Sequence, residues 1–453
     1  MNRLFLKNLK SVITLLFLSF TIQFADAQEI YDLNRSISTA LKQNFSIKVT
    51  RNQEVIAGNN YTRGNAGFLP MVTTTNQFGG NVSSTTQNMN DGSKNITNGI
   101  QNTTGSAALN LNMTLFKGFN VQITYQKLNE LKLVGELNTQ MAMENLVAQI
   151  VAEYYSLIQQ MNYFSNMEYA VSLSSERVRI DKERYLLGAS SKMELLQSIV
   201  YLNTDSSRLA RQNEVILESE VRLKKLMALE NLKDNILLKD SSIVFNPDLI
   251  YDELLASTLD LNTGLQIAKK NKVISELDLK IIASRSYPYL NFSSGYNYLY
   301  RGYGTGTISD YGDLAINNQQ SRAMNYNLTL GLDIFAGYNH RREKANAQIE
   351  IENRIFGFQE VEQDVKADLI TIFYAYENNL RLLKLEEQNL EVASENLGIA
   401  LERYKLGNLS GLELREVQKS LLDAEERLIS VKFQTKLAEI SLLHISGRIM
   451  DYI

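Results

Sequence analysis

The chain of 453 residues has two histidines, His340 and His444, and no cysteine. That excludes thiolate nucleophiles, thiolate metal ligands and disulfides. Neither histidine has a carboxylate or hydroxyl at a motif spacing for general-base chemistry or metal binding. His340 lies in a basic stretch, His340-Arg341-Arg342. With no nucleophile–base pair and no metal constellation, the residues predict no enzyme, no cofactor and no metal. The chemistry left is charge. Glu413 and Glu416 are three residues apart, so on a helix they share a face. In one reading they are solvated carboxylates paired with Arg415 or Lys419. In the other, threefold symmetry gathers six carboxylates at one constriction, where they raise one another's pKa and favour cations.

An internal repeat must position these groups. Leu115-Phe116-Lys117-Gly118-Phe119-Asn120 matches Ile334-Phe335-Ala336-Gly337-Tyr338-Asn339, 219 residues later. Glu183-Arg184-Tyr185-Leu186-Leu187-Gly188 matches Glu402-Arg403-Tyr404-Lys405-Leu406-Gly407 at the same offset. Upstream, Asn44 pairs with Asn262 and Pro70 with Pro288, at an offset of 218. The stretch from 115 to 209 needs no insertion, as a rigid helical rod under length constraint requires.

Each half reads as helix, strand, strand, long helix, turn, helix. Residues 32–66 form a helix that Pro70 ends. A strand follows over Leu69–Gly79. Residues 81–104 are almost wholly Asn, Ser, Thr, Gly and Gln, which predicts a solvated loop. Ala107, Leu109, Leu111, Met113 and Leu115 then alternate with Asn110, Asn112 and Thr114, the period of a two-faced strand. The second half repeats this with Leu328, Leu330, Leu332 and Ile334, and Leu290, Phe292, Tyr296, Tyr298 and Tyr300 share a face opposite. Tyrosines toward one strand end suit an interfacial girdle.

Val121–Leu187 and Asn339–Leu406 lack proline and turn clusters. Each is about 100 Å long at ~1.5 Å per residue. Both carry heptads: Ile150, Leu157, Phe164, Val171, Val178 and Tyr185 in the first, and Leu369, Tyr376, Leu383, Leu390, Leu397 and Tyr404 in the second. A seven-residue apolar repeat implies supercoiled packing. Shorter helical runs over 32–66, 190–229, 253–285 and 409–447 would stack in pairs along these rods. Residues 231–251 connect the halves and would pack at mid-height. Gly188 and Gly407 supply left-handed helix ends at 187–190 and 406–411. These turns form the end away from the strands.

Arg3, Lys7 and Lys10 before an apolar run, with Ala25-Asp26-Ala27 after it, predict an export signal over residues 1–27. The expected mature chain runs from a first repeat, 28–230 with a hairpin at 69–116, through the connector 231–251, to a second repeat, 252–453 with a hairpin at 287–335. Its formal charge shifts from −4 to −6 without the signal, which does not suggest nucleic acid as a partner. The missing cysteine also excludes an acylated bacterial lipoprotein terminus. No later segment suits a membrane-spanning helix, so an exported chain that enters a membrane does so as a β-barrel. Four strands cannot close one, since outer-membrane barrels start at about eight. Closure requires several chains, and three would supply twelve strands.

The duplicated hairpins, the Phe-x-Gly-aromatic-Asn motifs and the Arg-Tyr-x-x-Gly turns together resemble the TolC family of outer-membrane efflux proteins over nearly the whole mature chain. The resemblance implies a mixed, mainly helical fold and a homotrimer. A twelve-stranded barrel among outer-membrane lipid would continue into a periplasmic helical tunnel. It also implies a periplasmic adaptor and an inner-membrane transporter as partners, in an efflux pump or type I export system. By position, the adaptor-docking tip matches Leu187, Gly188 and Ala189 with Leu406, Gly407 and Asn408. The acidic ring at the periplasmic entrance matches Glu413 and Glu416, with Glu194 as the first-repeat counterpart. The entrance latch matches Tyr404, with Tyr185 at the equivalent position. Leu409 stands where the family pattern has a basic residue, so the latch is expected to differ. The rival reading is a trimeric periplasm-spanning strut or adhesin that conducts nothing, and the two hairpins argue against it. Cargo is not readable from a polar, permissive duct.

Overall fold

The structure, a computed structural model, describes residues 30–233, 236–303, 307–308 and 318–452. The expected export signal lies outside these residues. In chain order the elements are β1 (Ile30–Tyr31), α1 (Leu33–Gln43), α2 (Phe45–Asn60), α3 (Arg63–Ala66), β2 (Met71–Asn88), β3 (Lys94–Lys117), α4 (Asn120–Leu186) and α5 (Lys192–Met227). Then come β4 (Leu237–Leu238), α6 (Tyr251–Leu261), α7 (Thr263–Ser284), β5 (Tyr289–Tyr303), β6 (Thr307–Ile308), β7 (Asn318–Gly331), α8 (Asn339–Lys405) and α9 (Gly411–Ile445), with a terminal 3-10 turn at Ile449–Tyr452. The fold is mixed and mainly helical, as expected. The long helices α4 and α8 have 67 residues each. None of the described helices is long and apolar enough to cross a membrane. Two compact units emerge: a sheet unit of Asn52–Asn138 with Gln266–Val361, and a helical unit of the other described residues.

The sheet unit is an antiparallel ladder in the order β2-β3-β5-β7, with β6 attached to β3. Directly opposite residues share a face. Leu109 lies opposite both Thr74 and Tyr296, and Tyr296 lies opposite Met324. One face therefore carries Val72, Phe78, Leu109, Leu111, Phe292, Tyr296, Met324 and Leu328. The other carries Thr73, Thr75, Asn110, Asn112, Asn291, Asn325 and Asn327.

The loop expected over 81–104 is instead strand. β2 and β3 pair out to Asn88 and Lys94, leaving only residues 89–93 to turn. Both faces of that ladder are largely exposed. Polar side chains on both sides erase the alternation that marks a strand, while the backbone pairing persists. β7 also ends at Gly331, so Leu332 and Ile334 fall beyond the strand.

The duplicated motifs form duplicate turns. Gly118 and Phe119 take left-handed φ values of 58° and 66°, and Gly337 and Tyr338 of 59° and 60°. In each, two aromatic rings meet edge to face, Phe116 with Phe119 at 5.4 Å and Phe335 with Tyr338 at 5.3 Å.

In the helical unit the core gathers around Ile150, Tyr154, Leu157 and Ile158 of α4, with Ile37, Leu223, Met227 and Ile440. The expected continuous runs 32–66 and 253–285 are each broken, at Asn44 and Asn262. Asn44 accepts from the Ser46 amide at 2.8 Å and donates to the Leu226 carbonyl at 2.9 Å. Asn262 accepts from the Leu265 amide at 3.0 Å and donates to Ile445 at 2.9 Å. Each amide side chain ends one helix, caps the next and ties the break to a return helix. The connector is held to this unit through β4, parallel to β1, and through Tyr154, whose hydroxyl donates to Asp240 at 2.7 Å.

Candidate functional site at the helical turns

The turns after α4 and α8 close in the same way. The Gly188 amide donates to Tyr185 at 3.0 Å and Ala189 to Arg184 at 2.8 Å. The Gly407 amide donates to Tyr404 at 3.0 Å and Asn408 to Arg403 at 2.9 Å. The glycines, at φ 74° and 78°, occupy the left-handed position this motif requires. The flanking Leu187 and Leu406 are 83 % and 75 % exposed. Leu412, just inside α9, is also exposed. The residues matched to adaptor docking thus form an apolar, solvent-facing tip.

The next residues are tied into caps. Ser191 and Ser410 cap α5 and α9, each accepting from an amide at 3.2 Å, that of Glu194 and Glu413 respectively. Glu413 completes a capping box by accepting from the Ser410 amide at 2.9 Å. These bonds hold the Glu413 carboxyl below its ordinary pKa. Glu194 accepts from the Ser190 hydroxyl. Glu416 is exposed and has no ion pair among the described residues. Arg415, offered by spacing as its partner, turns away to Asp205.

Tyr404 and Tyr185 occupy equivalent places in sequence but different ones in space. Tyr404 is 2 % exposed, whereas Tyr185 faces solvent. The Tyr404 hydroxyl donates to the Asp181 carboxylate, and the Arg184 guanidinium lies 5.4 Å over its ring. Burial, reinforced by Asp181, pushes the phenol up to about 12, so it stays a donor. Arg177 Nε sits 3.6 Å from Asp181, both buried. A Cβ at Gly411 would lie 2.6 Å from the Arg177 guanidinium, so the glycine leaves it room.

A second buried network joins three helices. Arg415 of α9 grips Asp205 of α5 at 2.7 and 2.8 Å, and Asp205 accepts from Ser174 of α4 at 2.5 Å. The Tyr201 ring lies between two guanidiniums, 5.1 Å from Arg177 and 5.0 Å from Arg415. The buried Asp205 is paired and hydrogen-bonded, as a buried charge requires, whereas Arg177 Nε and Nη1 and Asp181 Oδ2 are buried without a hydrogen-bond partner among the described residues.

Sequence reading missed these residues because their seam is polar. On α5 the buried positions Ser198, Asp205, Gln212 and Ser219 recur every seven residues. The equivalents on α9 are Val417, Ala424, Val431 and Ala438, small and apolar. Gln212 donates to Gln160, and Ser219 to Glu153 at 2.7 Å. A heptad search restricted to apolar residues passes over this one; a search for any residue class at sevenfold spacing would find it.

Residues 256–448 match the family model described as outer membrane efflux protein. No curated protein matches the chain by sequence. Solved structures share the fold across both units. VceC from Vibrio cholerae is 15 % identical with a TM-score of 0.72, covering 92 % of this chain and 96 % of its own. The Campylobacter jejuni channel CmeC is 15 % identical with a TM-score of 0.71, covering 92 % and 85 %. CusC is 14 % identical with a TM-score of 0.73, covering 92 % of each chain. The second repeat thus matches the outer membrane efflux protein family, and the chain shares the fold of these outer-membrane channels, in agreement with the duplicated motifs.

Proposed function

We propose that three copies of this chain form the exit duct of a tripartite efflux pump or type I export system, opened at the helical turns by a docking adaptor and inner-membrane transporter. The carrying observation is the sheet unit: four long strands, β2 and β7 at the ends of their ladder with no further strand beside them among the described residues, one apolar face and one polar face. Such a sheet cannot satisfy its edges alone in lipid. Twelve strands from three copies would close into a barrel with the apolar face to lipid and the Asn/Thr face to the lumen.

The tip carries the regulated end. Leu187 and Leu406 on their glycine turns offer an adaptor two apolar knobs. Tyr404 with Asp181, and Arg415 with Asp205, hold the four tip helices of one copy together, so their release is the step that widens the duct. Glu416 is free to line the periplasmic entrance. Glu413 and Glu194 also cap helices, which keeps their carboxylates at the turns.

Conductance of the purified chain in a planar bilayer tests the reading. Discrete, cation-preferring steps that become more frequent in Tyr404→Phe are expected. Silence in both the natural chain and this variant would favour the non-conducting strut.

A further inference from the structure

The two repeats pass from strand to long helix on the same backbone but with different side chains. Val121-Gln122-Ile123 and Tyr125 of α4 correspond, 219 residues on, to His340-Arg341-Arg342 and Lys344 of α8. The second repeat thus has three cations at positions where the first has none. Arg285, just past α7, adds a fourth, against the carboxylates of Asp333 and Glu343. Glu343 is taken: Arg285 lies 2.6 Å from it and Arg342 4.0 Å. Arg341 and Lys344 are exposed and have no ion pair among the described residues. They are three apart, so they share a face of α8. They also stand at its N-terminal end, where the helix dipole adds positive potential.

Arg341 borders a groove of about 460 Å³, lined among others by Ser286, Asp333, Ile334, Phe335 and Tyr338. Ile334, Phe335 and Tyr338 are 92 %, 72 % and 72 % exposed. In the first repeat, Leu115 and Phe119 are the counterparts of Ile334 and Tyr338. They follow β3, which has β2 on one side and β5 on the other, and they are still 48 % and 56 % exposed. This side of the strand-to-helix passage therefore faces outward in both repeats. Along β7 the apolar face runs through Met324, Tyr326, Leu328 and Leu330 toward the groove. Aliphatic side chains, then aromatic rings, then free cations follow the order of a bilayer from acyl chain to headgroup.

We infer that the groove holds one anionic phospholipid, with its acyl chains along Ile334, Phe335 and Tyr338 and its phosphate on Arg341, with Lys344 beside it. This deepens the proposed barrel and rests on it. Charge complementarity selects the occupant, because the two unpaired cations favour a headgroup of net negative charge. A guanidinium fork matches two phosphate oxygens. The exposed Ser286 hydroxyl supplies a neutral donor. Asp333, at the strand end of the groove, repels phosphate there and leaves it to the helix end. The first repeat has aromatic rings at the equivalent place but Gln122 and Tyr125 for the cations, so one site per chain is expected.

Lipid retention tests this. The full chain in mild detergent is equilibrated with equal amounts of phosphatidylglycerol and phosphatidylcholine bearing the same acyl chains, and bound lipid is counted by native mass spectrometry. Phosphatidylglycerol should be retained over phosphatidylcholine by roughly tenfold, since each free cation near a headgroup favours anionic lipid severalfold. Arg341→Gln with Lys344→Gln should abolish the preference. Arg381→Gln with Lys384→Gln, which removes the same charge from exposed positions of α8 in the helical unit, should keep it. No preference in the natural chain, or equal loss in both variants, overturns the inference. Displacement of the lipid by inorganic phosphate also overturns it, since the groove would then be a site for a free anion. Should the double variant fail to fold, Arg341→Gln alone, which installs the residue of the first repeat, should lower the ratio severalfold; an unchanged ratio overturns the inference. A chain that conducts in planar bilayers without this preference overturns the lipid site alone. A chain that neither conducts nor enters vesicles of the two lipids overturns the barrel reading with it.

Discussion

Arg415 grips both oxygens of Asp205, at 2.7 and 2.8 Å, across the interface between α9 and α5. Asp205 is 3 % exposed. Removing either partner alone strands a buried charge, which typically costs about 3–5 kcal/mol. Arg415→Leu should lower the thermal midpoint and raise channel open probability. Arg415→Leu with Asp205→Leu should recover much of the midpoint. A double variant no more stable than Arg415→Leu would mean that the pair is not the element holding these helices.

Tyr404→Phe keeps the ring in its pocket and removes the donor to Asp181. The lost hydrogen bond should cost about 1–3 kcal/mol. More frequent opening in single-channel records is expected, with little change in open-state conductance. Unchanged gating would confine Tyr404 to packing.

The two acidic residues of α9 should separate. Glu416→Gln should weaken cation preference, read as a reversal potential in a salt gradient, and leave the thermal midpoint in place. Glu413→Ala should affect both, because it also opens the capping box. The folded carboxyl of Glu413 titrates below its ordinary 4.5. Its stabilising contribution is therefore complete above that value and disappears as pH falls through the folded pKa. The midpoint difference between Glu413→Ala and the natural chain should close over the same acidic range.

His444 gives the helical unit a pH response of its own. Burial lowers its pKa from 6.5, opposed by Glu144, and its Nε2 lies 2.8 Å from Asn145 Oδ1. The unfolded chain takes up this proton first, so stability falls as pH drops through about 6.5 and reaches its full loss below the folded value. His444→Gln should flatten the thermal midpoint between about pH 7.5 and 5. An identical slope in both proteins would place the response elsewhere.

Sequence periodicity was a reliable guide wherever one side of an element is apolar. The strands around Leu109 and Leu328, the long helices and the glycine turns were legible for that reason. It failed where burial or pairing is polar. The outer part of the β2–β3 hairpin reads as a loop because Asn, Ser and Thr occupy both of its faces. Asn44 and Asn262 stood out as repeat partners, yet nothing in composition says that each ends one helix and starts another. Asp181, Asp205 and Arg415 look like the solvated charges of any helix surface.

The amino-acid sequence by itself determined the duplication, the equal length of α4 and α8, the places where they turn, and the need of four strands for more. These follow from chain-local rules: period, proline, glycine and length. Only the tertiary structure decided that Tyr404 is buried while Tyr185 is not, that Glu413 caps its own helix, and that Arg415 chooses Asp205 over Glu416. Equivalent residues in a repeat acquire different tasks because a side chain's energy depends on which neighbour covers it: Tyr404 is covered by Asp181 and Arg184 of the other repeat, whereas Tyr185 faces solvent.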